Sequence, residues 1–215
     1  MRVPSLGVML LTLCAQGAHA QILDRPGTSE PRAWISGSVG LFDLAAIDDG
    51  TSAARWSFSS AAQFRGTLEY SLGRGNALGV SAAYAQVPMR YRPFGGPAED
   101  ATGTVSSLAV TFRGGAGIGL HQVFEASIGA VRFSDFSIDD GGGRVGPLEP
   151  DYDVTFMIGG GFGYSLNARA QVVLVQEFGL VLHQRSGLPN DANTTVYQRT
   201  TRIGLRYGFG NASRG

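Results

Sequence analysis

Residues 196–209, VYQRTTRIGLRYGF, alternate in character over fourteen positions. Odd positions carry Tyr197, Arg199, Thr201, Ile203, Leu205, Tyr207 and Phe209, and even positions carry Gln198, Thr200, Arg202, Gly204, Arg206 and Gly208. A period of two describes an extended strand with one apolar face, ending in two aromatics, and one polar face. Such a strand fits two kinds of closed sheet. A soluble barrel turns the apolar face inward, and a membrane barrel turns it outward.

Seven other segments repeat the pattern, at 33–43, 55–72, 76–84, 104–113, 118–133, 151–166 and 168–183. In 55–72 every even residue from Trp56 through Phe58, Phe64 and Leu68 to Leu72 belongs to one face; Arg65 and Glu69 belong to the other. Trp34 and Phe42 break the parity at the two ends of the first segment. Near Pro88 the apolar parity flips to Val87, Met89 and Tyr91, which predicts a bulge at that strand end. Connections alternate in length. The turns at 73–75, 114–117 and 167 are tight, and those at 45–54, 92–103, 134–150 and 184–195 are long and rich in Gly, Asp and Pro. Long and short connections therefore leave opposite ends, as in an up-and-down barrel with an even number of strands.

The strand ends decide which face is inside. At the long-loop end the apolar face carries Trp56, Phe58, Tyr84, Tyr152 and Tyr197. At the short-turn end it carries Tyr70, Phe112, Tyr164, Tyr207 and Phe209. Two aromatic belts with aliphatics between them match the two interfaces of a bilayer. The other face is short of bulk but holds Arg65, Glu69, Glu125, Glu177, Arg202 and Arg206. A narrow lumen needs small residues, and charges inside it must pair. The expectation is an all-β, eight-stranded antiparallel transmembrane barrel over 33–210, with a polar interior in which these six residues form a salt-bridge plug. An ion path or a catalytic dyad is the sharper reading of the same cluster. Gln176 has outward parity near mid-strand, where a polar group in hydrocarbon is costly; a local bulge or a contact between protomers would account for it.

The first twenty residues are expected to be a cleaved signal peptide. Arg2 is a basic start, residues 6–14 (LGVMLLTLC) are a short apolar run, and Ala18-His19-Ala20 is a small-x-small cleavage site before Gln21. Residues 21–32 and 211–215 read as tails. The one cysteine, Cys14, falls inside the leader, so neither a disulfide nor thiol chemistry is expected in the mature chain. After Gln21 no apolar run approaches the roughly 20 residues of a membrane helix. Formal net charge is zero, so nucleic acid is not an implied partner. All 17 basic residues are arginine, a side chain with a fixed charge and a fork suited to carboxylate and phosphate.

With these residues in view, the chain resembles the small bacterial outer-membrane barrels of the OmpA/OmpX type. The sharpest element is RIGLRYGF at 202–209, similar to the terminal recognition signal of that class through Arg202, Gly204, Tyr207 and Phe209. The resemblance implies insertion by the outer-membrane assembly machinery and residence among outer-membrane lipids and lipopolysaccharide. The chain departs from the pattern in continuing to Gly215 after Phe209.

Three further groups carry candidate chemistry. Some barrels resembling this one deacylate lipid A with a His, a Ser and a Glu on the outer wall. Here His183, Ser186 and Glu177 invite that reading, but at a spacing that does not suit it, and a polar loop stem is the bland alternative. Asp139, Asp140, Asp151 and Asp153 flank a glycine run and could offer oxygens to Ca²⁺, although they lack an EF-hand order. Arg132 and Arg199 share outward parity at the long-loop rim, where they either snorkel or contact lipopolysaccharide phosphates. No cofactor is implied. The sequence reads as a non-enzymatic barrel with a membrane-structural or surface-interaction role through its long loops. A lipid A deacylase and a narrow solute pore are the alternatives.

Overall fold

The computed structural model describes residues 30–49, 53–139, 141, 143–145, 151–183 and 194–210. The expected leader at 1–20, most of the first tail, the tail at 211–215, Asp140, Ser186 and the Asp151 side chain lie outside them.

Ten strands follow in chain order: β1 (Ala33–Leu44), β2 (Ile47–Asp49), β3 (Ala54–Phe58), β4 (Ala61–Gly73), β5 (Asn76–Arg92), β6 (Glu99–Gly114), β7 (Gly119–Ile138), β8 (Asp151–Ser165), β9 (Ala170–His183) and β10 (Thr194–Phe209). Eight of them, β1, β4, β5, β6, β7, β8, β9 and β10, pair in that order into a ring. The ring closes through antiparallel pairing of β1 with β10, from Ala33 opposite Phe209 to Leu44 opposite Gln198. Closure removes the sheet edge, which is the condition for strands to stand in lipid, because every backbone group then has a neighbour. The short turns follow from their residues. Gly73, Arg74 and Gly75 all have positive φ (85°, 54° and 76°), so the chain reverses at once. Asn167 Oδ1 accepts hydrogen bonds from the backbone N–H groups of Arg169 and Ala170, both at 2.8 Å.

The outer wall is a continuous apolar band. Phe64, Leu68, Leu108, Ile158, Phe162 and Leu205 are each at least half exposed. A water-soluble domain rarely exposes an apolar surface so extensive, whereas lipid demands one. Tyr70, Phe112, Tyr164, Tyr207 and Phe209 ring the short-turn end of this wall. At the other end the belt is three tyrosines, Tyr84, Tyr152 and Tyr197.

Trp56 and Phe58, expected in that upper belt, are not there. Residues 55–72 form two strands, and the register against β5 slips by one between Phe58 opposite Met89 and Gln63 opposite Ala85. The slip flips every side chain beyond it to the other face. Trp56 is therefore fully buried inside, and Phe58 packs 6.2 Å from Phe133, ring centroid to ring centroid. The bulge predicted near Pro88 is also absent, since β5 keeps one register with β6 from Ala77 to Tyr91. Val87 and Met89 point inward because the interior itself turns apolar at that end. The bulge lies on β7 instead, where Asp135 has φ of 57° and two residues oppose Gly103. It brings both Phe133 and Phe136 inward. Trp34 and Phe42, apolar exceptions on the even face of β1, are both buried inside the ring.

β5, β6 and β7 run well beyond Tyr84, and the β2–β3 hairpin pairs onto β5 from Arg55 opposite Arg92 to Phe58 opposite Met89. The wall is thus taller on one side. Parts of the expected loops at 45–54 and 92–103 belong to this raised sheet.

Candidate functional site: a packed lumen and its outer rim

Charged side chains from five of the eight ring strands converge in the lumen toward its short-turn end. Arg65 and Glu69 come from β4, Arg113 from β6, Glu125 from β7, Glu177 from β9, and Arg202 and Arg206 from β10. All seven are between 1 and 8% exposed. They form an unbroken alternation of charge. Arg206 Nε donates to Glu69 at 2.6 Å. Glu69 also accepts from Arg113 Nε at 3.0 Å, and an Arg113 terminal nitrogen lies 2.6 Å from Glu125. Glu125 pairs with Arg202, and Arg202 Nε donates to Glu177 at 3.2 Å. Arg65 closes the series, donating to Glu177 at 2.8 Å. Each carboxylate thus holds two guanidiniums. The two end arginines find softer partners: Arg206 lies 3.9 Å over the Trp34 ring and donates to Gln171 at 3.2 Å, and Arg65 lies 3.9 Å from the Met157 sulfur.

All six residues expected in the lumen are in this series, and Arg113 is a seventh that the sequence reading left out. It has inward parity, but it sits one residue from a turn. Hairpin register places it directly opposite Glu125, which is the signal that would have found it. Glycines on the inner face make room for these long side chains. At Gly40, opposite Arg202, an added Cβ would come within 2.6 Å of the Arg202 Cβ.

Above the charges the lumen changes character. Gln198 donates to Thr155, and Ser81 and Thr111 share a hydrogen bond of 3.0 Å. Gln63, Arg65, Ser107, Thr155 and Gln198 border a cavity of about 20 Å³, the size of one water and not of a passage. Higher still is an apolar plug of Phe42, Val87, Met89, Trp56, Phe133 and Phe136. Trp56 meets Phe136 edge-on at 5.0 Å. At the edge of this plug His183 Nδ1 and Asp153 Oδ2 are 2.7 Å apart, both side chains fully buried.

That placement separates the residues of the other readings. His183 and Glu177 both face the lumen, and Glu177 is held by two arginines; Ser186 lies outside the described residues. Among the described residues no acidic cluster forms a metal site, and Asp140 and the Asp151 side chain lie outside them. Asp153 is inside with His183, whereas Asp139 is on the surface, accepting from Thr102 Oγ1 at 2.8 Å. At the outer rim Arg199 is already paired: Asp43 accepts from its Nε at 3.0 Å and from a terminal nitrogen at 2.6 Å, and Ser60 also donates to Asp43. Arg132 is half-buried, its guanidinium 5.8 Å from the Tyr152 ring centroid. In the assembly motif Tyr207 and Phe209 face outward in the short-turn belt, and Arg202 and Gly204 face inward.

No protein-family model matches the sequence. No curated protein matches it either. Solved structures do share the fold. Neisserial surface protein A superposes with a TM-score of 0.57 at 11% identity, covering 85% of this chain and 100% of that one. The outer membrane protein OprG from Pseudomonas aeruginosa gives a TM-score of 0.46 at 13% identity, covering 84% and 97%. The outer membrane enzyme PagL gives 0.37 at 15% identity, covering 82% and 99%. The chain has the eight-stranded transmembrane β-barrel fold of the small outer-membrane proteins.

Proposed function

We propose that the protein is a non-enzymatic component of the bacterial outer membrane, exported by its N-terminal segment, with a membrane-structural or surface-interaction role borne by the long-loop side. One observation carries this reading: the lumen is filled along its length, by paired charges below and aromatic side chains above, while the structural elaboration lies outside the bilayer. β5, β6 and β7 with the β2–β3 hairpin raise a sheet beyond the tyrosine belt, and long connections with exposed polar residues are where recognition usually resides. An acyl hydrolase acting on membrane lipid needs its base on the wall that touches lipid. His183 faces the other way, which supports a non-enzymatic role.

The partners proposed are outer-membrane lipids and lipopolysaccharide, with Arg132 as the rim contact for lipid phosphate. Arg199 is the lesser candidate because Asp43 already answers its charge. The outer-membrane assembly machinery is the proposed reader of Arg202, Gly204, Tyr207 and Phe209. The test reconstitutes the purified protein in lipid and follows planar-bilayer current and the acyl content of added lipid A. Neither stable openings nor acyl loss is expected. Sustained conductance, or deacylation that His183→Ala removes, would overturn the proposal.

A further inference from the structure

Gln176 is the one strongly polar side chain in the middle of the lipid-facing wall of β9. It lies six residues from Ala170 and seven from His183, with Val172 and Leu174 toward one end and Phe178 and Leu180 toward the other. No bulge explains it. β9 keeps one register with β8 and with β10 throughout, Gln176 standing opposite Gly160 on one side and Thr201 on the other. Glu177 beside it is buried in the lumen, so Gln176 faces lipid. No side-chain hydrogen bond joins its amide to the described residues. An amide carries two donors and an acceptor, and leaving them unmet in hydrocarbon is costly.

The wall is open beside this amide. Gly160 has no side chain, and a Cβ built there would meet nothing nearer than the Val123 carbonyl oxygen at 3.7 Å. Thr201 adds an exposed hydroxyl. Phe124 and Leu41, the next outward residues around the ring, stand at the two sides of the gap. Lipid tails cannot bond an amide, but a second copy of this chain can. Two copies inserted in the same direction are related by a two-fold axis along the bilayer normal, so each residue meets its own counterpart at its own depth. An amide is self-complementary: across such an axis each Gln176 donates to the other's carbonyl oxygen. Polar and small side chains favour close approach of neighbours within a membrane for this reason.

We propose that the face of β8, β9 and β10 around Gln176, Gly160 and Thr201 is a contact surface between two copies of this protein in the membrane. The proposal rests on insertion of the barrel in lipid, and a barrel that failed to insert would be seen separately, as loss of heat-modifiable migration on gels. The chain's one cysteine, Cys14, precedes the barrel, so introduced cysteines report cleanly. Oxidation in native membranes should link Leu174→Cys, which neighbours Gln176 on the outer face of β9 and leaves its amide in place, into dimers and leave Leu108→Cys, on the outer face of β6, monomeric. In reconstituted bilayers, energy transfer between copies labelled at Phe94→Cys, on an exposed hairpin tip, should report association of the otherwise native chain. Adding Gln176→Leu should weaken that association by roughly fivefold or more. Equal cross-linking at both positions, a monomer at every protein-to-lipid ratio, or association unchanged by Gln176→Leu would overturn the proposal.

Discussion

At the scale of single residues, the lumen network is asymmetric between its two signs. Every carboxylate holds two arginines, so removing any one arginine leaves all three carboxylates paired. The reverse does not hold. Among the described residues the one carboxylate partner of Arg65 is Glu177 and that of Arg206 is Glu69, whereas Arg113 and Arg202 each touch two carboxylates. An uncompensated buried charge costs about 3–5 kcal/mol. Glu177→Gln and Glu69→Gln should therefore lower unfolding stability by that amount in lipid-reconstituted urea titrations. Glu125→Gln should cost less, about 1–3 kcal/mol, because both its arginines keep another partner. If Glu125→Gln proved the worst of the three, the pairing order along the lumen would be wrong. Arg199 is the opposite case. Its side chain is 54% exposed and its pair with Asp43 is open to solvent, so Arg199→Ala should change stability by less than about 1 kcal/mol.

At the scale of elements, two register slips decide what fills the outer half of the barrel. The slip between β3 and β4 turns Trp56 inward, and the bulge at Asp135 turns in Phe133 and Phe136 together. These rings can meet only because Gly103 leaves space. A Cβ there would stand 2.5 Å from the Phe136 ring. Trp56→Ala should cost about 3–5 kcal/mol, the usual range for deleting a large buried aromatic. Gly103→Val should destabilise by about 1–3 kcal/mol through overpacking. Thermal unfolding followed by loss of β-sheet circular dichroism measures both, and an unperturbed Gly103→Val would mean that the plug packs elsewhere.

At the scale of the whole molecule, the ring closes through its eight strands without the hairpin tip, so membrane insertion is expected to survive loss of that tip. The tip of the β5–β6 hairpin, residues 92–98, lies beyond the last β5–β6 pair, Tyr91 opposite Glu99. Replacing those seven residues with Asn-Gly, a two-residue hairpin turn, should leave the difference in gel mobility between boiled and unboiled protein intact. The same change should abolish any surface interaction that needs the tip. Loss of the folded, fast-migrating band would instead make the hairpin part of the folding core.

Much of this fold is readable along the chain because a closed sheet in lipid constrains each strand separately. Alternation of period two, the inner aromatic belt and the alternating loop lengths are local patterns, and they suffice for eight strands with the polar face inside. Local pattern also names most of the lumen charges. What it cannot supply is position across the ring. Arg206 meets Glu69 over 137 residues and Arg65 meets Glu177 over 112, contacts that exist only once β10 closes on β1. The fate of Trp56, Phe58 and Met89 was hidden for a related reason. An apolar residue at a strand end suits both a lipid interface and an apolar plug, and a slip of one residue chooses between them. The tertiary structure made that choice through the space left inside the ring, and in doing so placed His183 and Asp153 within the barrel and left Gln176 facing lipid.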